Sequence, residues 1–101
     1  MSNVTPLRTD AMAEVPEVDL GRAIGRSLRR RRRELDLTLQ DVAAMTGVGY
    51  QQIQKYEIGM HRISAATLAR LAIALDVGVD YFFQGLPRLA SAAGEAGTGP
   101  L

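Results

Sequence analysis

The chain has 101 residues, room for one small domain, and no cysteine, which excludes a disulfide framework and a thiolate metal site. It is 47% hydrophobic, enough for a modest core, yet no apolar run approaches the roughly 18 residues of a membrane span. The net charge of +1 is unevenly spread: residues 1–19 carry Arg8 against Asp10, Glu14, Glu17 and Asp19, whereas residues 20–86 carry ten Lys/Arg against six Asp/Glu. A basic centre points to a polyanionic partner. The first residues, MSNVTPLRTDAMAEVPEVD, lack the basic start and apolar core of a signal peptide, so the expected address is cytoplasmic.

Residues 1–19 hold two prolines and no apolar periodicity, and are expected to form a flexible acidic arm. From residue 20 the pattern is helical. Leu20, Ile24 and Leu28 recur at i+4, Leu35 continues that side, and Asp19 is placed to cap the helix. A second helix follows Thr38, which forms a capping-box pattern with Asp41 and turns Val42, Ala43 and Thr46 inward; Gly47 stops it. A third covers about 50–57, with Ile53 and Tyr56 inward, and Gly59 ends it in the left-handed backbone region. Ser64 caps a fourth helix whose Leu68, Leu71, Ala72 and Leu75 share one stripe. DVGV makes a tight turn into a short last helix, DYFFQG, and residues 87–101 are expected to form a flexible Gly/Ala-rich tail. The expected fold is all-α: a five-helix domain over 20–86 between two tails.

The second and third helices are separated only by GVG, residues 47–49, which forces a sharp angle between them. Ala43, Gly47 and Ile53 have the spacing of a helix-turn-helix: a small residue, a glycine four later, and a branched apolar residue ten later. With Ile53 and Tyr56 inward, the third helix presents Tyr50, Gln51, Gln52, Gln54 and Lys55 outward. A glutamine amide offers a donor and an acceptor to a base edge, and lysine reaches guanine or phosphate. These five are the candidate base-reading residues of a sequence-specific contact with double-stranded DNA.

With the marks LTLQDVAAMTGV, IQKYEIG and LARLAIALDVGVDYFF, residues 21–84 resemble the Cro/CI-type, or XRE, family of helix-turn-helix regulators, whose fold is lambda repressor-like. The resemblance implies a transcriptional regulator, a homodimer on an inverted-repeat operator, without cofactor or catalysis, in a bacterial or phage nucleoid-associated setting. It also implies a phosphate contact at the start of helix two. The family's glutamine position is Leu39 here, which leaves Thr38 and Gln40 for that task.

Five consecutive arginines, Arg29 to Arg33, turn through about 100° each and cannot all face one way. Arg32 extends the Leu20/Ile24/Leu28 stripe and points inward, where it needs a carboxylate; Glu57 is placed for that, and the resemblance implies the same pair. Arg32 is a candidate phosphate contact as well, together with His61 and Arg62 in the loop after helix three. A membrane-binding reading of the arginines lacks a lipidation signal. His61, the only histidine, has no second ligand for a metal. Val79, Tyr81, Phe82, Phe83 and Leu86 exceed what closing so small a core needs, and are the candidate dimer contact. The alternative function is a protein-interaction module such as an antitoxin or polymerase-contacting factor, with RNA polymerase or another regulator as partner.

Overall fold

The computed structural model describes residues 16–86, which form four α-helices and one 3-10 helix, with no strand among the described residues. The helices are α1 (Glu17–Glu34), α2 (Leu39–Thr46), α3 (Tyr50–Glu57) and α4 (Ala65–Ala74), followed by a 3-10 helix (Val79–Phe83). The fifth element is thus tighter than an α-helix. Most of the expected arm and all of the tail, residues 1–15 and 87–101, lie outside the described residues. No helix among the described residues is long and apolar enough to cross a membrane.

The start of α1 departs from expectation. Pro16, not Asp19, occupies the N-cap, and its carbonyl accepts from the Asp19 and Leu20 amides at 3.0 and 3.2 Å. Glu17 and Asp19 lie in the first turn and complement the positive end of the helix dipole without a side-chain cap. The helix therefore begins at Glu17, three residues before the expected start at residue 20. Leu35 also departs: it is the C-cap residue and 37% exposed, while Leu37 packs on the core.

Every element sends side chains to one core: Leu28 from α1, Val42 from α2, Ile53 and Tyr56 from α3, Leu71 and Ala72 from α4, and Phe82 from the 3-10 helix. Leu75 closes it from the end of α4. Full burial of each large aliphatic or Phe side chain stabilises the fold by about 1.5–3 kcal/mol.

Three helix ends share one termination. The Asp36 and Leu37 amides donate to the carbonyls of Arg33 and Arg32, Gly59 and Met60 to Tyr56 and Lys55, and Asp76 and Val77 to Ile73 and Ala72. This pair of bonds needs a left-handed residue at its first position. Gly59 supplies it at φ 78°, but Asp36 and Asp76 adopt 62° and 58° despite their Cβ atoms.

Candidate nucleic-acid interface

The helix-turn-helix is built by α2 and α3. Thr38 caps α2 through a reciprocal box: its hydroxyl accepts from the Asp41 amide at 3.0 Å, and the Asp41 carboxylate accepts from the Thr38 amide at 2.8 Å. The backbone bond, and then the Thr38 side chain, hold the Asp41 carboxyl below the usual aspartate value. Gly47, at φ 79°, ends α2 with its amide on the Ala43 carbonyl. Thr46 braces the turn: its hydroxyl donates to the Val42 carbonyl at 2.8 Å and accepts from the Val48 amide at 3.2 Å.

The face of α3 follows from which of its residues are buried. Ile53, Tyr56 and Glu57 are, so the opposite side belongs to Gln51 and Lys55, one turn apart, with Gln54 and Tyr50 exposed beside them. Gln52 stands at the edge, half-buried, with its Oε1 3.2 Å from the Nδ1 of His61. That contact uses one end of the Gln52 amide, so a two-bond contact with a base would require His61 to let go.

The base of α3 is pinned by Arg32. Its Nε and Nη2 donate to the two oxygens of Glu57 at 2.7 and 3.0 Å, and Nη1 donates to the Leu37 carbonyl at 2.9 Å. The Glu57 side chain is 4% exposed and that of Arg32 is 13%. The hydrogen bonds to Glu57 push the Arg32 pKa above its ordinary value. Three of the five guanidinium N–H groups are so occupied, which makes Arg32 a structural residue first; its side chain also lines the hollow at the start of α2, where phosphate contact was expected. Gly25 permits the same approach: an added Cβ there would overlap the carbonyl oxygens of Tyr56 and Glu57.

The rest of the arginine run is divided. Arg31 Nε donates to the Leu75 carbonyl at 2.8 Å and Nη2 reaches that of Asp76 at 3.4 Å, satisfying the end of α4. Arg30 donates to the Tyr81 hydroxyl oxygen at 3.1 Å, with its guanidinium 5.3 Å from the ring centre. Arg29 and Arg33 are exposed. Arg33 was not among the expected site residues, but it lines one hollow with Thr38 and Gln40 at the start of α2. The sequence signal for it, one arginine among five, was ambiguous without the helix's orientation.

Gln40 is exposed, while Leu39, at the family glutamine's position, packs on the core. Arg62 is exposed and forms an ion pair with Glu17, Nε to Oε2 at 2.6 Å. The expected dimer set divides. Phe82 is fully buried and Leu86 is 5% exposed, so both are core residues of the single chain, and their assignment to a dimer contact is corrected. The reason is that Phe82 fills the space between the other elements, with Tyr81 standing on its edge at 5.8 Å. Val79 remains 47% exposed, and Tyr81 and Phe83 are half-buried. Ile73 on α4, absent from the expected set, is 80% exposed.

Comparison with known proteins agrees with this geometry. The helix-turn-helix family model HTH_3 matches residues 28–82. An uncharacterized transcriptional regulator in the ATPase CF(0) region of Rhodospirillum rubrum is 49% identical over 65 residues, covering 64% of this chain and 60% of that protein. An uncharacterized HTH-type transcriptional regulator of Sinorhizobium fredii is 34% identical over 87 residues, covering 86% of this chain and 58% of the relative. The chain thus spans about 60% of the length of these relatives. Among solved structures, the restriction-modification controller protein C.AhdI of Aeromonas hydrophila superposes with a TM-score of 0.61 at 28% identity, over 64% of this chain and 97% of that one. An HTH_3 family transcriptional regulator of Vibrio cholerae gives 0.68 at 28% identity, over 76% of this chain and 43% of its own. The matched span takes in α2, the turn and α3 whole, and more than half of the sequence: the chain belongs to the helix-turn-helix family HTH_3.

Proposed function

We propose that this chain binds double-stranded DNA with α3 in the major groove and acts as a transcriptional regulator. The observation that carries the reading is the outward face of α3. Gln51 and Lys55 stand there one turn apart on a helix whose other side is fixed by Ile53, Tyr56 and the Arg32–Glu57 pair. A rigid helix with an amide and an ammonium on its free side suits base edges. Tyr50 and Gln54 flank them, and Gln52 reads only when released by His61. Phosphate contacts are assigned to Thr38, Gln40 and Arg33 at the start of α2, and to Arg62 and His61 after α3. Those two clusters would grip the backbone on either side of the groove.

One α3 helix reads only a few base pairs, so site recognition calls for two chains on an inverted repeat, with half-sites about 34–36 Å apart. Val79, with Tyr81 and Phe83, is the surface proposed for that contact. The relatives are named as regulators, and the solved neighbour from Aeromonas hydrophila as a controller protein, which supports the regulatory role.

The test is selection of bound sequences from a random DNA pool, followed by titration of the selected site. Gln51→Ala is expected to weaken the selected site by about 1–3 kcal/mol and to relax preference at one position. Equal weakening on selected and random DNA would remove base reading from Gln51.

A further inference from the structure

Among the described residues, Arg22, Arg26, Arg29 and Arg33 of α1 are exposed and enter no ion pair; the pairs that form engage Arg31, Arg32 and Arg62 instead. At about 100° per residue, spacings of four, three and four residues keep the four arginines within roughly 60° of one another. They make one row about 16 Å long at 1.5 Å per residue. Opposite it on the helix stand Ile24, packed on the core, and Arg31, bound to the end of α4. The acids of α1 lie elsewhere: Glu17 is held by Arg62, Glu34 by Arg31, and Asp19 is confined to the first turn.

Such a row is unfavourable when left alone. Like charges three and four residues apart repel on a helix, and three successive pairs do so here. A merely solvated helix face usually interleaves both signs. This one is a field of a single sign, which draws a polyanion.

We infer that Arg22, Arg26 and Arg29 bind phosphates of the duplex held by α3, outside the base pairs that α3 reads and without regard to sequence. The inference rests on the proposed DNA binding and extends it to a face of α1 that the proposed interface leaves unused. Continuity is the first argument. Arg33, the last of the row, lines the hollow with Thr38 and Gln40 that is assigned to phosphate, so the row prolongs that contact along α1. Orientation is the second. Gly25 and Arg32 meet the end of α3, and the row lies about a quarter turn around α1 from them, beside α3 rather than turned away from it. Charge is the third: about 16 Å of duplex carries roughly ten phosphate charges, and guanidinium forks match phosphate oxygens.

Other polyanions fit less well. A helix lying on a membrane buries an apolar face, and that of α1, with Ala23 and Leu28, is already in the core. Between its arginines the row presents no exposed large apolar group, so it lacks the anchor around which protein interfaces are built.

The test compares the full native chain with the triple variant Arg22→Gln, Arg26→Gln, Arg29→Gln. Each is titrated onto the selected site alone and onto the site extended on both sides by about one helical turn, roughly 10 base pairs. Glutamine keeps the stem and nearly the helix propensity of arginine, and a melting temperature no lower than the native one shows the variant folded. The native chain is expected to bind the extended duplex about tenfold tighter than the short one, and to lose roughly 40-fold more affinity than the variant between about 50 and 200 mM salt, as three phosphate contacts imply. The glutamine variant should not distinguish the two duplexes. Lysine at the same three positions should restore most of the difference, with sequence preference unchanged throughout. Equal salt dependence of the native chain and the glutamine variant on the extended duplex would overturn the inference. So would capture of a labelled random duplex by chain already saturated with the selected site, lost in the variant, because the row would then hold a second duplex. Binding to phosphatidylserine vesicles that needs the three arginines, with duplex affinity unchanged by their loss, would assign the row to a membrane and overturn it too. If the native chain binds no duplex, the proposed function fails and the row falls with it; if the selected site is bound and the variant is indistinguishable, the row fails alone.

Discussion

At the scale of the residue, neighbouring side chains of one type do different work according to where the helix points them. Arg32 is nearly enclosed and satisfies a buried carboxylate, whereas Arg30 lies on the surface against Tyr81. Removing one partner of a buried pair leaves the other charge without compensation. Arg32→Ala is therefore expected to lower stability by about 3 kcal/mol, and Arg30→Ala by no more than about 1 kcal/mol. Thermal unfolding of the two variants measures the difference, and comparable small losses would mean that Glu57 is adequately solvated without Arg32. Asp41 gives a pH dependence. Its folded value is lowered, so its contribution is present above the unfolded aspartate value and disappears as pH falls through the depressed one. Below about pH 4 the native chain is expected to lose stability more steeply than Asp41→Asn, with the two converging once Asp41 is protonated in both states. Melting curves across that range check the sign.

At the scale of the element, helix ends and helix contacts depend on backbone shape. Gly59 and Asp76 occupy equivalent left-handed positions, but only glycine takes that shape without a Cβ clash. Asp76→Gly is expected to stabilise the chain by about 0.5 kcal/mol, relief of the left-handed cost being partly offset by a freer unfolded chain. Gly59→Ala is expected to destabilise it by about 1–2 kcal/mol or more, since its Cβ would also press on the Arg22 stem. Chemical denaturation separates the opposite signs. Gly25 sits inside α1, where alanine would ordinarily gain about 1 kcal/mol. Because its Cβ would strike the backbone at the end of α3, Gly25→Ala is expected instead to lose about 1–3 kcal/mol and to shift α3. A gain in melting temperature would show that the two helices can separate at little cost.

At the scale of the whole molecule, core closure and the proposed assembly draw on the same short 3-10 helix. Phe82 belongs to the core, which leaves Val79 at 47% exposure as the apolar group of the 3-10 helix free to meet another chain. Val79→Lys is expected to weaken self-association and binding to a two-half-site operator, while leaving the affinity for a single half-site within about threefold, less than 1 kcal/mol. Analytical ultracentrifugation with and without the selected site measures both. A native chain that saturates a non-palindromic site as one protomer would defeat the dimer.

The sequence by itself determined the five helical elements, the turn and the outward side of α3, apart from Gln52 at its edge. These rest on local rules: a capping box at Thr38, a glycine at a left-handed stop, and apolar spacing that assigns each helix an inner side. The inward turn of Arg32 was legible for the same reason, since i+4 spacing continues a stripe. Only tertiary structure decided the rest. That Gly25 marks a backbone contact, that Arg31 satisfies the end of α4, and that Phe82 fills the core while Val79 faces out all depend on residues far apart in the chain. The hollow that joins Arg33 to Thr38 and Gln40 is local, within residues 32–40, and follows the left-handed turn at Asp36. Periodicity states which side of a helix is apolar; the elements packed against it decide which polar groups on its other sides find partners and which remain free to bind.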